Sequence, residues 1–209
     1  MTEVADSGVA TKTYEYAYTV PGSAADGTWT AQVTANEGTE GTISHQGNGA
    51  IFVSTASLTI LKSVQTVSDP IHGTISPYNI PGAQMLYTIQ VTNSGSGSTD
   101  TDTVVVNENL PADTALQVTD LGGAGSGPVL FIDGSPVSGL TYTFTSLGSL
   151  TDDLEFSTDG VDWTYVPTAD ANGVDTNVRY LRINPKSAML GNGGGGDPSF
   201  QLRFMVIVQ

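Results

Sequence analysis

The chain has 209 residues, 38% of them hydrophobic, with 25 glycines, no cysteine and a formal net charge of -15 from six basic and 21 acidic side chains. Its apolar residues fall in short runs rather than helical stripes, which suits one or two domains of thin sheets and excludes a helical bundle. The acidic balance excludes a nucleic acid or an anionic membrane surface as partner, no apolar run is long enough to insert in a bilayer, and a disulfide framework is excluded.

In chain order, residues 13–20 alternate with Tyr14, Tyr16, Tyr18 and Val20 on one face and stop at Pro21-Gly22, a strand with an aromatic ladder. Asp26-Gly27 turns the chain into a second same-face series, Trp29, Ala31, Val33 and Ala35. A third run covers residues 41–53 and is interrupted at 46–49, Gln-Gly-Asn-Gly, as a hairpin or a bulge. Residues 1–56 thus supply three or four strands, an incomplete immunoglobulin-like sheet when a sandwich of that type needs roughly seven. Its apolar side needs a cover from outside those residues.

Residues 57–209 read as a complete immunoglobulin-like β-sandwich, making the fold all-β with two units. Strands are predicted at 58–64, at 85–92 with Met85, Tyr87, Ile89 and Val91 on one face, from Val104, and at 116–118. Residues 129–132, the turn Asp133-Gly134 and the alternating Leu140, Tyr142 and Phe144 predict a hairpin, followed by runs at 154–157, 159–165 and 178–183. The last run, 200–209, places Phe200, Leu202, Phe204, Val206 and Val208 on one face and Met205 and Ile207 on the other. A strand apolar on both faces is expected to be buried on both, either in its own sandwich or against another subunit.

Little in the chain points to catalysis. His45 and His72 stand outside any triad pattern, and Ser126 is not in a nucleophile elbow, so no enzyme activity is expected. Oxygen-rich loops at 100–102, 152–153, 159–162 and 170–175 lack the spacing of a twelve-residue calcium loop. Asp170, Asn172 and Asp175 form the strongest candidate for a weak calcium site, set against the turn-forming role of the same residue types. No other cofactor is expected.

The pieces LTILKSV, IPGAQMLYTIQVTNSGSG, NENLPADTAL, FSTDGVDWTYVPTADANGVD and RYLRINPKSAMLG leading to SFQLRFMVIV resemble, in that order, the bacterial and archaeal cell-surface repeat family catalogued as domain of unknown function eleven. The resemblance covers residues from about 58 to 209 and implies an extracellular immunoglobulin-like sandwich used in stalks, adhesins or sheaths. The chain departs from it at Asn107 and Asn109 around Glu108, and in the long glycine loop at 191–197. The expectation is a secreted structural subunit, exported with loss of a signal peptide that the N-terminal residues do not contain. It would polymerise with copies of itself into a filament or surface layer by β-strand complementation. Tyr14, Tyr16, Tyr18 and Trp29 at one end, and Phe204, Val206 and Val208 at the other, are the expected contacts. The alternative is a passive stalk or adhesin module of a longer surface protein.

Overall fold

The computed structural model describes residues 2–6, 12–21, 24–36 and 44–209. The chain is all-β, with no helix among the described residues, and forms two units, Met1–Val53 and Ser54–Gln209.

The first unit contains β1 (Thr2–Asp6) antiparallel to β2 (Lys12–Glu15), and β3 (Gly27–Asn36) antiparallel to β4 (Ser44–Val53). These are two separate two-stranded sheets rather than one partial sheet. Two expectations are corrected here. The strand predicted over 13–20 ends at Glu15, so the alternation of Tyr16, Tyr18 and Val20 continues in chain that forms no strand. The interruption expected at 46–49 does not occur: β4 runs through it, and Gln46, Gly47, Asn48 and Gly49 pair in sequence with Thr34, Val33, Gln32 and Ala31. A continuous ladder to β3 holds these glycines extended despite their weak strand preference. Residues 41–43 of that run lie outside the described residues.

The second unit is a β-sandwich. One sheet has six strands: β5 (Leu58–Ser68), β6 (Gln84–Asn93), β8 (Thr114–Gln117), β9 (Val129–Asp133), β11 (Val174–Asp175) and β13 (Ser199–Val208). Its order is β11-β8-β13-β6-β5, and β9 pairs β13 beside β8. β13 is the organising strand. β6 covers one of its edges from Ser199 to Ile207, while β9 takes residues Phe200 to Phe204 on the other edge and β8 takes Val206 to Val208. The second sheet is narrower, with β10 (Leu154–Ser157), β12 (Tyr180–Ile183) and β7 (Val106–Asn109) in the order β10-β12-β7.

Alternation decides what fills the space between the sheets. From β6 come Met85, Ile89 and Val91, and from β13 Phe200, Leu202, Phe204 and Val206; Leu154 and Phe156 of β10 and Leu181 and Ile183 of β12 face them. Tyr87 stacks on Phe204 with ring centroids 5.3 Å apart, and Phe131 stacks on Phe200 at 5.2 Å. The outer face of β13 is not fully enclosed as expected, since Met205 and Ile207 are only half-buried.

The hairpin predicted from residues 129–144 does not form. β9 pairs β13, and residues 140–147 are irregular, held at the β10 edge by a bridge from Thr141 to Lys186 and by the Asp153 amide on the Thr143 carbonyl. Tyr142, Phe144 and Leu147 nevertheless lie half-buried against the core. They close that flank of the sandwich as a plug, which explains how an alternating pattern arises without a strand. Residues 159–165 are likewise turn and irregular chain rather than strand.

Candidate interface at the open flank of the second unit

The opposite flank has no such plug. In β5 the register sets Leu58 opposite Asn93, Ile60 opposite Val91, Lys62 opposite Ile89 and Val64 opposite Tyr87. Directly paired residues project to the same face of a sheet, so Leu58, Ile60, Lys62 and Val64 point to the core side. Yet Ile60 is 64% exposed, Val64 49% and Leu58 45%. A three-stranded sheet facing a six-stranded one leaves an overhang, and β5 is that overhang.

The far wall of the gap is β7. Its burial alternates, with Val106 and Glu108 inward and Asn107 and Asn109 outward, and it ends the narrower sheet with one edge unpaired among the described residues. The two walls meet at a single charged point, where the Lys62 ammonium donates to the Glu108 carboxylate. Lys62 also lies over the Tyr87 ring, 4.8 Å from its centroid. Glu108 is buried and Lys62 only partly so, and the pair marks where apolar packing stops. β5 thus presents a partly exposed apolar row on its core side, and β7 an edge to which no other strand pairs among the described residues, together an open slot between the two sheet edges.

The residues expected to make contacts fall in three different settings. Phe204 and Val206 are fully buried in their own unit and unavailable to another copy, which corrects their assignment as contacts; Val208 is half-buried and tied by its backbone to Gly82 and Ala83. They belong to the strand at the centre of the sheet, and that position explains their apolar run. Tyr16 and Tyr18 are 67% and 59% exposed, Tyr14 lies in β2 opposite Glu3, and Trp29 is half-buried with its indole N–H donating to the Ala25 carbonyl. Sequence reasoning missed Leu58, Ile60 and Val64, because an apolar strand opening a domain reads as core.

The carboxylates of the 170–175 loop cap backbone. Asp170 Oδ1 accepts the amides of Asn172 at 2.8 Å and Val174 at 3.0 Å. Asp175, in β11, accepts the Tyr165 hydroxyl at 2.9 Å and the amides of Thr168 and Asn177, both at 2.8 Å. The Val174 amide foremost holds the Asp170 carboxyl below its ordinary value against the opposing effect of burial. Asp159 is lowered in the same way by the amides of Val161 and Asp162. No cluster of three or more His, Asp or Glu side chains positioned for a metal occurs among the described residues.

Asp69 is the most heavily engaged of these groups. Burial raises its pKa, but the amides of His72, Tyr78 and Ile71 and the His72 ring outweigh that effect and bring it from 3.8 to about 2. His72 thus serves to close a loop, its ring 3.1 Å from Asp69 Oδ2 and edge-on to Tyr78. A depressed native pKa contributes stability that is complete above 3.8 and is lost as pH falls through about 2. The loop over residues 69–78 should therefore open in that window. Acid titration followed by the Tyr78 amide resonance checks this: Asp69→Asn should loosen the loop at neutral pH and abolish its acid transition, and an unchanged transition in that variant would refute the assignment.

No protein-family model, curated protein or solved structure matches the chain.

Proposed function

We propose that the chain is a secreted structural subunit that joins copies of itself into an extracellular filament or surface layer by strand addition across subunits. The observation that carries this reading is the exposed row Leu58, Ile60 and Val64 on the core side of β5, together with the edge of β7 to which no other strand pairs among the described residues. A free edge and a flanking apolar row are the two components of β-augmentation: main-chain hydrogen bonds supply pairing, and alternate side chains supply register. When donor and acceptor lie on different parts of one chain, the contact is head-to-tail, and it propagates when the rotation between copies does not close a ring. The acidic, Lys-poor composition and the resemblance of residues 58–209 to a cell-surface repeat family support an extracellular setting.

Light scattering coupled to size-exclusion chromatography tests the reading. The expected result is a mass that rises with concentration beyond that of a dimer, with linear particles in negative stain. A monomer at every concentration would favour the passive stalk or adhesin module, in which the missing strand is supplied within one polypeptide.

A further inference from the structure

Resting on that reading, we propose that the strand filling the slot is the segment 16–20, Tyr-Ala-Tyr-Thr-Val, of a second copy. This segment has the composition and period of a strand, with Tyr16, Tyr18 and Val20 on one face and Ala17 and Thr19 on the other. It nevertheless pairs as a strand with none of the described residues. β2 stops at Glu15, and the three larger side chains remain exposed, Val20 at 40%. A strand pattern without a sheet and a sheet edge without a strand thus occur in the same chain.

The two surfaces match in length and spacing. Pro21 has no N–H to donate, so it bounds the segment at five residues, against the four of β7. Successive same-face side chains of a strand stand about 6.8 Å apart, the spacing of Leu58 and Ile60 along β5. Tyr16, Tyr18 and Val20 can therefore sit over the β5 row while the backbone of 16–20 pairs with β7. Each tyrosine adds roughly 150–250 Å² of buried surface, a large contribution for so short a segment.

Charge favours this occupant. Each copy carries a net charge of -15, so most surfaces of two copies repel. Residues 16–25 contain no charged side chain, and β5 contains only Lys62. The one carboxylate on the core side of β7, Glu108, is already held by Lys62. Lys62 lies over Tyr87 and is partly exposed, so an incoming tyrosine can approach its free side as a second aromatic partner.

A mixing experiment on the full chain tests the pairing. Tyr16→Ser with Tyr18→Ser removes the donor and leaves the slot, whereas Ile60→Asp blocks the slot and leaves the donor. All three side chains are exposed, so thermal unfolding of both variants should match the parent. Each variant alone is expected to stay monomeric, and an equimolar mixture should give a dimer and nothing larger, because one intact junction remains. If the parent assembles and both variants assemble as it does, the pairing is overturned while polymerisation stands. If the parent is monomeric throughout, both fall. As a check independent of variant folding, excess synthetic peptide spanning residues 12–21 should reduce the parent assembly to monomer; an assembly that withstands the peptide would also overturn the pairing.

Discussion

Phe204→Ala is expected to lower the unfolding free energy of the second unit by about 3–5 kcal/mol, as for a large aromatic removed from a core that cannot collapse. Phe204 is fully buried at the middle of β13, with Tyr87 on one side in the β6 register and Val129 on the other in the β9 register. Its ring lies nearly parallel to that of Tyr87, at an interplanar angle of 4°. Truncation removes the stacking partner and opens a void where three strands meet, so relaxation in one strand is resisted by the other two. Urea unfolding followed by Trp163 fluorescence, in a Trp29→Phe background, measures the loss. A cost below about 1 kcal/mol, within the range of a surface substitution, would show that this side chain is not core.

The second large effect is expected at Asn93, a fully buried amide that ties three segments together. Its Nδ2 donates to the carbonyls of Gly97 at 2.9 Å and Leu190 at 2.8 Å. Its Oδ1 accepts the amides of Ser57 at 2.9 Å and Gly95 at 3.0 Å. The glycine at 95 is required by this closure, because a Cβ there would stand 2.3 Å from the Thr55 carbonyl oxygen. Asn93→Leu keeps the branched skeleton and strands four backbone groups. The expected cost is roughly 3–4 kcal/mol, limited by how far the loop can open to admit water. Asn93→Asp differs in kind. A carboxylate keeps the two acceptor contacts but turns the two donor contacts into repulsion, so its native pKa must lie above the unfolded value. Stability of this variant should then rise as pH falls toward the carboxylate range, opposite to the behaviour of Asp69. Thermal melts of both variants across pH decide the matter, and an Asp variant that behaves like the parent would refute the assigned orientation of the amide.

Much of the sandwich was legible in the sequence because its strands are half-buried and alternate. β6 and β13 appear as period-two runs bounded by turn residues, and the structure pairs them over almost their full length. What the pattern could not show was partnership. β9 ends on the first residue of Asp133-Gly134, a hairpin signal, yet it pairs with a strand more than sixty residues further along the chain, because the Phe131–Phe200 stack rewards that register. β11 was hidden in a loop of Asp, Asn and Gly, the same residues that suggested a cation. In the first unit, tyrosine alternation predicts strand beyond Glu15, where no described residue pairs with the chain as a strand.

The candidate site was the least legible part. Phe204 and Val206 drew attention by being apolar, which in a central strand reports burial. Leu58, Ile60 and Val64 have the same chemistry and lie exposed only because the facing sheet ends at β7, a fact set by topology rather than by local sequence. In the first unit, residues 16–20 belong to no strand, and Tyr16 and Tyr18 are exposed.

Hydrogen–deuterium exchange of the β7 backbone as a function of protein concentration bears most directly on an unfilled strand position. Amides of residues 106–109 that are not bonded to β12 should exchange rapidly in dilute solution and become protected as concentration rises, together with the amides of residues 16–20. Exchange at both segments that stays the same from dilute to concentrated solution would contradict the account.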